Sequence, residues 1–420
     1  MDLIAIAIPF FLLALLVELG VDRFRATGYY RTTDAIGSLS AGILSTTFGY
    51  FTKLLPLIVW GFVLENFALF DMPLALFDLS ALGLLLWVTA AVAWDFCYYW
   101  FHRFSHEWSI LWAAHAVHHQ SEDYNLSTAL RQTSTGFLFG WIFYLPLFLI
   151  GFPLEVLVTV NAVNLIYQFW VHTRHVGSLG PLDRWLVTPS NHRVHHARNS
   201  AYVDRNYGGI FILWDRLFGT FEPERAEEPV VYGVRKPLNT FDPFRANLSV
   251  YRDLWFDSRH TANWRDRLKV WFSRTGWRPA DVAARYPERS GSGDLESRYD
   301  PPLVAPLKVY IFGQFVVAAG ATLAIGAVVA SSGALAMLLP CIGLWLTLFA
   351  LSGFSDGSRH ALTVERGRLL LIAATGFALY PGAIALAAAG YAAVSWVALE
   401  ALRKALNNNE LIDEATVNYD

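Results

Sequence analysis

Nine histidines in this chain fall into clusters whose spacing suits metal capture. "HRFSH" places His102 and His106 at i, i+4, so on a helix both rings share one face. "HAVHH" supplies His115, His118 and His119, and "HRVHH" supplies His192, His195 and His196. Each HxxHH holds an i, i+3 pair plus a neighbour about 100° around the helix. Such a cluster can hand ligands to two metals rather than one. His172, in "YQFWVHT", closes a long apolar run and completes the set. A lone histidine at a membrane edge is more often an ordinary hydrogen-bonded ring. Two copies of HxxHH and one HxxxH, each beside an apolar segment, imply a shared task.

Imidazole suits Fe, Zn, Cu and Ni. A single catalytic zinc needs only three protein ligands and an open position. Eight or nine histidines are enough for two metals with four or five nitrogens each. Soluble di-iron carboxylate bundles use Glu and a Glu-x-x-His motif, which these clusters do not show. Neutral imidazoles around two metals leave a cationic centre suited to reduced oxygen species. That chemistry favours non-haem di-iron with O2, with di-zinc as the alternative. A zinc hydrolase would carry HExxH or HxxEH, and neither occurs. A metal transporter would want its polar residues in mid-membrane, whereas these cluster at the ends of apolar runs.

Positioning these rings falls to membrane segments. Of 420 residues, 55% are hydrophobic and only 16% charged, well under the roughly 25% usual for soluble domains. The composition reads as an all-α, polytopic integral membrane protein. A net charge of −3 gives no sign of a nucleic-acid binder. Apolar segments fall near 3–20, 36–66, 81–101, 136–151, 153–171, 304–330, 334–352, 368–385 and 386–402, which predicts about nine spans. "FTKLLP" predicts a kink in the second, and "IGFPLE" a tight hairpin between the fourth and fifth. The N-terminal run lacks a basic leader and a cleavage site, so it reads as a first span. Cys97 and Cys341 lie inside apolar runs and read as packed thiols.

Five regions follow: N-terminal spans at 1–80, a catalytic core at 81–224, a polar region and linker at 225–303, a four-span block at 304–404, and a tail at 405–420. The linker signal is "ERSGSGDLESRYDPP". Basic loops at 22–31 and 359–368 point to the cytoplasm, which places the histidines as a cytoplasmic helical cap over a dimetal site.

The clusters resemble those of the fatty acid hydroxylase / sterol desaturase superfamily of membrane di-iron enzymes. Beyond them, "HEWSILWAAHAVHHQSEDYNLSTALRQ", "GPLDRWLVTPSNHRVHHARN" and "RNYGGIFILWDRLFGTFEPE" resemble its ether-lipid-cleaving branch, densely from about 94 to 224. The resemblance puts His102, His106, His115, His118, His119, His172, His192, His195 and His196 on ligand positions for two irons. It implies a lipid monooxygenase that hydroxylates the carbon beside an ether oxygen, the hemiacetal then collapsing. A fatty acid, carotenoid or sterol hydroxylase or desaturase is the alternative.

The remaining expectations concern single residues and partners. Glu107 follows His106 and is a candidate catalytic group, orienting a ligand or meeting a pterin-like reductant; an ion pair to Arg103 or Arg131 is the structural alternative. His175 matches no ligand position, and His260 and His360 read as surface residues. Asn125 and Arg131 are candidates for the site entrance, against helix capping by Ser121 or Asp123. "WDRLFGTF" (214–221) reads as an amphipathic packing segment. No GxGxxG follows a strand and no cytochrome-like "HPGG" occurs, so reductant must come from a partner or a diffusible pterin such as tetrahydrobiopterin.

Overall fold

The computed structural model describes residues 3–76, 78–287, 298–333, 335–379 and 382–407, all of whose regular structure is helical. Part of the expected linker (288–297) and most of the tail (408–420) lie outside the described residues. The chain divides into two compact units, Met1–Asn239 with Phe244–Arg298, and Thr240–Pro243 with Tyr299–Asp420.

The first unit opens with α1 (Leu3–Arg25), α2 (Thr32–Thr52) and α3 (Leu54–Phe67). The expected kink appears as a 47° bend between α2 and α3. Pro56 sits in the first turn of α3, where its missing N–H costs no helix bond. The long helix α4 (Ala81–Glu107) starts at Ser80, whose Oγ accepts the Gly83 N–H at 3.0 Å. Its 27 residues reach about 40 Å. A hydrocarbon core is about 30 Å thick, so a span by α4 leaves room for its last turns, which carry the polar His102, Arg103, His106 and Glu107, to lie outside one.

Short helices follow: α5 (Ser109–Ala113), α6 (Ala116–His119) and α7 (Leu126–Ala129). Then α8 (Leu145–Ile150) and α9 (Leu154–Trp170) follow, joined by the expected tight turn but packed on α3 and α4 rather than paired as a hairpin. The chain turns at Gly151, whose φ is +110°, and a Cβ there would lie 1.9 Å from the Phe70 carbonyl. The main core of this unit packs Trp60 from α3, Trp94 from α4, Tyr144 just before α8 and Phe148 from α8. The unit closes with α10 (Pro189–His195), α11 (Leu213–Phe218), α12 (Pro243–His260), α13 (Trp264–Phe272) and α14 (Ala280–Arg285).

The second unit holds α15 (Ala305–Ser332), α16 (Leu338–Ser355), α17 (Ala361–Leu379) and α18 (Ala383–Asn407). Buried among them, Arg368 donates to Glu365, Thr347, Tyr391 and Gln314, while Tyr310 donates to Glu365. All five guanidinium N–H groups thus find acceptors. Such saturation is what keeps a buried ion pair from being a net cost.

Nine spans do not emerge from length and composition. Among the described residues, four single helices are long and apolar enough to cross a membrane, or five if the bent α2–α3 pair counts as one. The stretches 140–150 and 154–170 are apolar but short, the longer being only about 26 Å. Helix α17 has the length but carries Glu365, Arg366 and Arg368 within it. Cys97 and Cys341 are buried free thiols, as expected.

Candidate metal centre

The end of α4 presents His102 and His106 one turn apart, both buried. Trp108 breaks that helix, and α5 turns the chain back so that His115 caps α6, which carries His118 and His119. His172 comes just after Val171, the C-cap of α9. α10 begins with Pro189 at its first position and delivers His192 and His195, with His196 just past its end.

The nine expected histidines come together in two groups. His102, His106, His115, His119 and His195 form one, and His118, His172, His192 and His196 the other; within each, one nitrogen per ring lies within 4.8 Å of all the rest. Each HxxHH is divided between the groups. The i, i+4 pairs His115–His119 and His192–His196 stay together, with Nε2–Nε2 separations of 3.0 and 3.2 Å. The middle residue, His118 or His195, goes to the other group. This corrects the i, i+3 pairing expected from sequence. Four residues advance a helix by about 40° and three fall short by about 60°, so rings four apart converge better.

Backbone carbonyls fix four of the tautomers. Nδ1–H groups donate from His102 to Tyr207 (2.8 Å), His118 to Arg131 (2.9 Å), His172 to Gln168 (2.8 Å) and His195 to Arg205 (3.0 Å). Each leaves a bare Nε2 facing inward, the arrangement that outer partners impose on metal-binding imidazoles. Consequently the Nε2 atoms of His118 and His172, 3.3 Å apart, turn lone pair towards lone pair. Nε2 of His106 and of His195 are buried with no hydrogen-bond partner. Lone pairs crowded in this way fit a cation, and the donor set is all imidazole.

Burial pushes His118 down to about 4. Burial first, then the neighbouring rings, holds His115, His119, His192, His195 and His196 well below the ordinary 6.5. The rings are therefore neutral at pH 7 and free to ligate. No carboxylate belongs to either group. The Asp204 carboxylate comes only to 3.9 Å from His106 Nδ1.

Several residues that orient the centre are not singled out by sequence. Asp95, fully buried in α4, accepts from Asn164 Nδ2 (2.8 Å), Ile210 N (2.8 Å), Phe211 N (3.1 Å) and Trp214 Nε1 (3.0 Å). Asp215 accepts from Tyr207 N (2.7 Å), Gly208 N (2.8 Å) and Thr220 Oγ1 (2.7 Å). Together they hold the 205–211 segment, whose carbonyls orient His195 and His102. Gly209 is required there, because a Cβ would lie 2.7 Å from Asp95 Oδ1. The available signal was an acid inside the apolar run "AVAWDFCYYWF". Tyr124 stacks on the His172 ring at 5.6 Å, and Trp112 lies 5.2 Å from that of His106.

The expected entrance residues are instead internal struts. Asn125 caps α7 itself, accepting from Ser127 N. The buried Arg131 guanidinium donates to the Val117 carbonyl (2.6 Å) and to Gln120 Oε1 (3.3 Å), holding α6 while its own carbonyl orients His118. Ser121 and Asp123 serve other partners: Ser121 donates to Asp34, and Asp123 accepts from Arg31. His260 and His360 are exposed, as expected.

Glu107 is ion-paired to Arg103 at 2.8 Å, the structural alternative weighed for it. His175 lies outside both groups, against the Tyr29 ring and 4.0 Å from Asp22. His175→Ala and Glu107→Gln proteins are therefore expected to keep full metal content, measured by elemental analysis. Loss of half the metal in either would add that residue to the centre.

A buried, two-part imidazole site that could hold metal thus lies at the end of a membrane-length helix. Residues 87–220 match the family model for fatty acid hydroxylases. Alkylglycerol monooxygenase of Homo sapiens is 37% identical over 377 residues, covering 88% of this chain and 81% of that protein. The Danio rerio protein of the same name is 40% identical over 315 residues, 74% of this chain and 68% of that one. An ornithine lipid hydroxylase of Rhizobium tropici is 35% identical over 135 residues, 30% of this chain and 39% of that one. No solved structure matches. The chain belongs to the alkylglycerol monooxygenase family.

Proposed function

We propose that this chain is a membrane-bound di-iron monooxygenase that hydroxylates a lipid, cleaving an ether lipid at the carbon beside its ether oxygen. The observation that carries this reading is the pair of adjacent all-imidazole groups, joined to family membership. One iron is assigned to His102, His106, His115, His119 and His195, and the other to His118, His172, His192 and His196. Bound there, the irons would supply O2 activation, so that one oxygen atom would enter the C–H bond and the other leave as water, with two electrons from a donor outside the chain and two protons. The hydroxylated ether is a hemiacetal, which releases a fatty aldehyde and a glycerol product.

The protein's own contribution is positional. The carbonyls of Tyr207, Arg131, Gln168 and Arg205 hold the rings in one tautomer. Burial of nearly the whole site excludes bulk water. Helix α4 is long and apolar enough to span and also bears ligands, which supports entry of a lipid chain from the bilayer. Catalytic core 81–224 contains every proposed ligand. Glu107, beside His106, is kept as a proposed orienting group. The reductant is a pterin such as tetrahydrobiopterin or a protein donor.

Substrate is tested by incubating membranes containing the protein with a 1-O-alkylglycerol, O2 and a reduced pterin or a ferredoxin donor. Fatty aldehyde is expected, and none from His196→Ala. Hydroxylated fatty acid or sterol with no aldehyde under any donor would reject ether cleavage and leave a hydroxylase of another lipid.

For topology, we propose that the histidine site faces the cytoplasm, from the basic stretches at 22–31, running off the end of α1, and at 359–368, which the structure makes a turn and the start of α17 rather than a loop, with Arg368 paired to Glu365. A cysteine introduced at 225–235 is expected to react only with a reagent on the cytoplasmic side, since both native cysteines are buried. Reaction from the opposite side would reverse the orientation.

A further inference from the structure

Helix α13 is amphipathic in an unusual way, because both of its faces are apolar but only one is covered. Inward, the fully buried Val270 packs against Ala113 and Leu254. Outward, Trp264, Leu268 and Phe272 stand at i, i+4 and i+8 and are 65%, 60% and 65% exposed. The exposed cations Arg265 and Lys269 flank this stripe on one side and Arg267 on the other, against the single acid Asp266.

The depth of this stripe is fixed by backbone bonds to the membrane-length helix α4. Ser109 N donates to the Ser273 carbonyl at 2.9 Å, and Thr275 N to the Glu107 carbonyl at 3.0 Å. Trp108, the C-cap of α4, pairs with Arg274 in an isolated antiparallel bridge. The segment leaving α13 is thus tied to the point where α4 emerges from the hydrocarbon core. A stripe of Trp, Leu and Phe with cations on both flanks, held at that level, matches a helix lying in the headgroup layer. Cations beside a span are drawn to anionic lipid.

We propose that α13 is a membrane-surface anchor that binds anionic phospholipid and sets the depth of the metal centre. The link to the centre is one residue long. Thr275 Oγ1 donates to the His106 carbonyl at 2.5 Å, so the segment leaving the anchor is bonded to the turn that presents His106. The inference rests on the membrane location of α4 and is independent of which metal is bound.

The 420-residue chain carries two cysteines, both buried, so Leu268→Cys can be labelled selectively with an environment-sensitive fluorophore. It is reconstituted in vesicles of phosphatidylcholine alone and with phosphatidylglycerol added. Expected are a blue-shifted emission, quenching by lipid-borne nitroxide and protection from aqueous iodide, all stronger with phosphatidylglycerol. Adding Arg265→Gln and Lys269→Gln is expected to abolish the difference between the two vesicles. Phe272→Cys serves as a second label position should Leu268→Cys misfold. Iodide quenching without nitroxide quenching in both vesicles would overturn the proposal. So would protection that appears only when a protein electron donor is added, which would assign the face to that donor. None of the three readouts uses turnover or metal, so failure here leaves the enzymatic reading standing.

Discussion

Removing His118 is expected to empty more of the centre than its own metal position. Its ring touches both groups, 4.6 Å from His196 and 5.1 Å from His172 on one side, and 5.3 Å from His119 on the other. His195 is its counterpart, 4.4 Å from His102 and 5.3 Å from His196. Wild-type protein from iron-replete cells is expected to hold close to two irons per chain. His118→Ala and His195→Ala are each expected to fall below one. Activity should drop by at least the roughly 100-fold that marks the upper end for losing an outer partner alone. Elemental analysis alongside turnover checks both. Stoichiometric zinc with full activity would refute the di-iron proposal, and two retained irons in either variant would refute the ligand assignment.

Asp95→Ala is the second large effect, and it acts without touching a histidine. It removes the acceptor of four donors, on Asn164, Ile210, Phe211 and Trp214. Each buried donor left unmade costs about 1–3 kcal/mol. Relaxation shares these losses, so a total of about 3–5 kcal/mol is expected, at the upper end for single substitutions. The freed 205–211 segment then releases the carbonyls that orient His195 and His102. Faster thermal inactivation in detergent, with metal loss, is the expected result. Asp95→Asn should be milder, since it keeps one carbonyl oxygen for the Ile210 or Phe211 amide. Unchanged stability and metal content in Asp95→Ala would show that the 205–211 segment is held by other means.

What could be read along the chain was whatever repeats locally. The histidine clusters declare themselves because helical ligands recur at i+3 or i+4. The 47° bend at α2–α3 and the turn at Gly151 follow from Pro and Gly chemistry within a few residues. Span counting was less secure: a hydropathy run does not disclose that 154–170 is one short helix, or that α1 carries its acids inward. Glu18, for example, is buried and accepts from Leu126 N and Thr173. It serves the loops beneath the centre rather than a solvent boundary.

The sequence by itself determined the helical, membrane-bound class, the identity of the nine clustered histidines and the presence of enough imidazoles for two metals. Only the tertiary structure decided which ring belongs to which group. His118 is adjacent in sequence to His119 yet joins His172, His192 and His196. The reason is geometric: neighbours on a helix point about 100° apart, so their partners come from distant segments. The same holds for the supports of the site. Arg131 and Asp95 were legible as a charged loop residue and an acid in an apolar run. Their tasks depend on bonds across 13 to 119 residues of chain, from the Arg131 carbonyl to His118 and from Asp95 to Trp214. Such pairings exist only once the chain has closed on itself and water has been excluded.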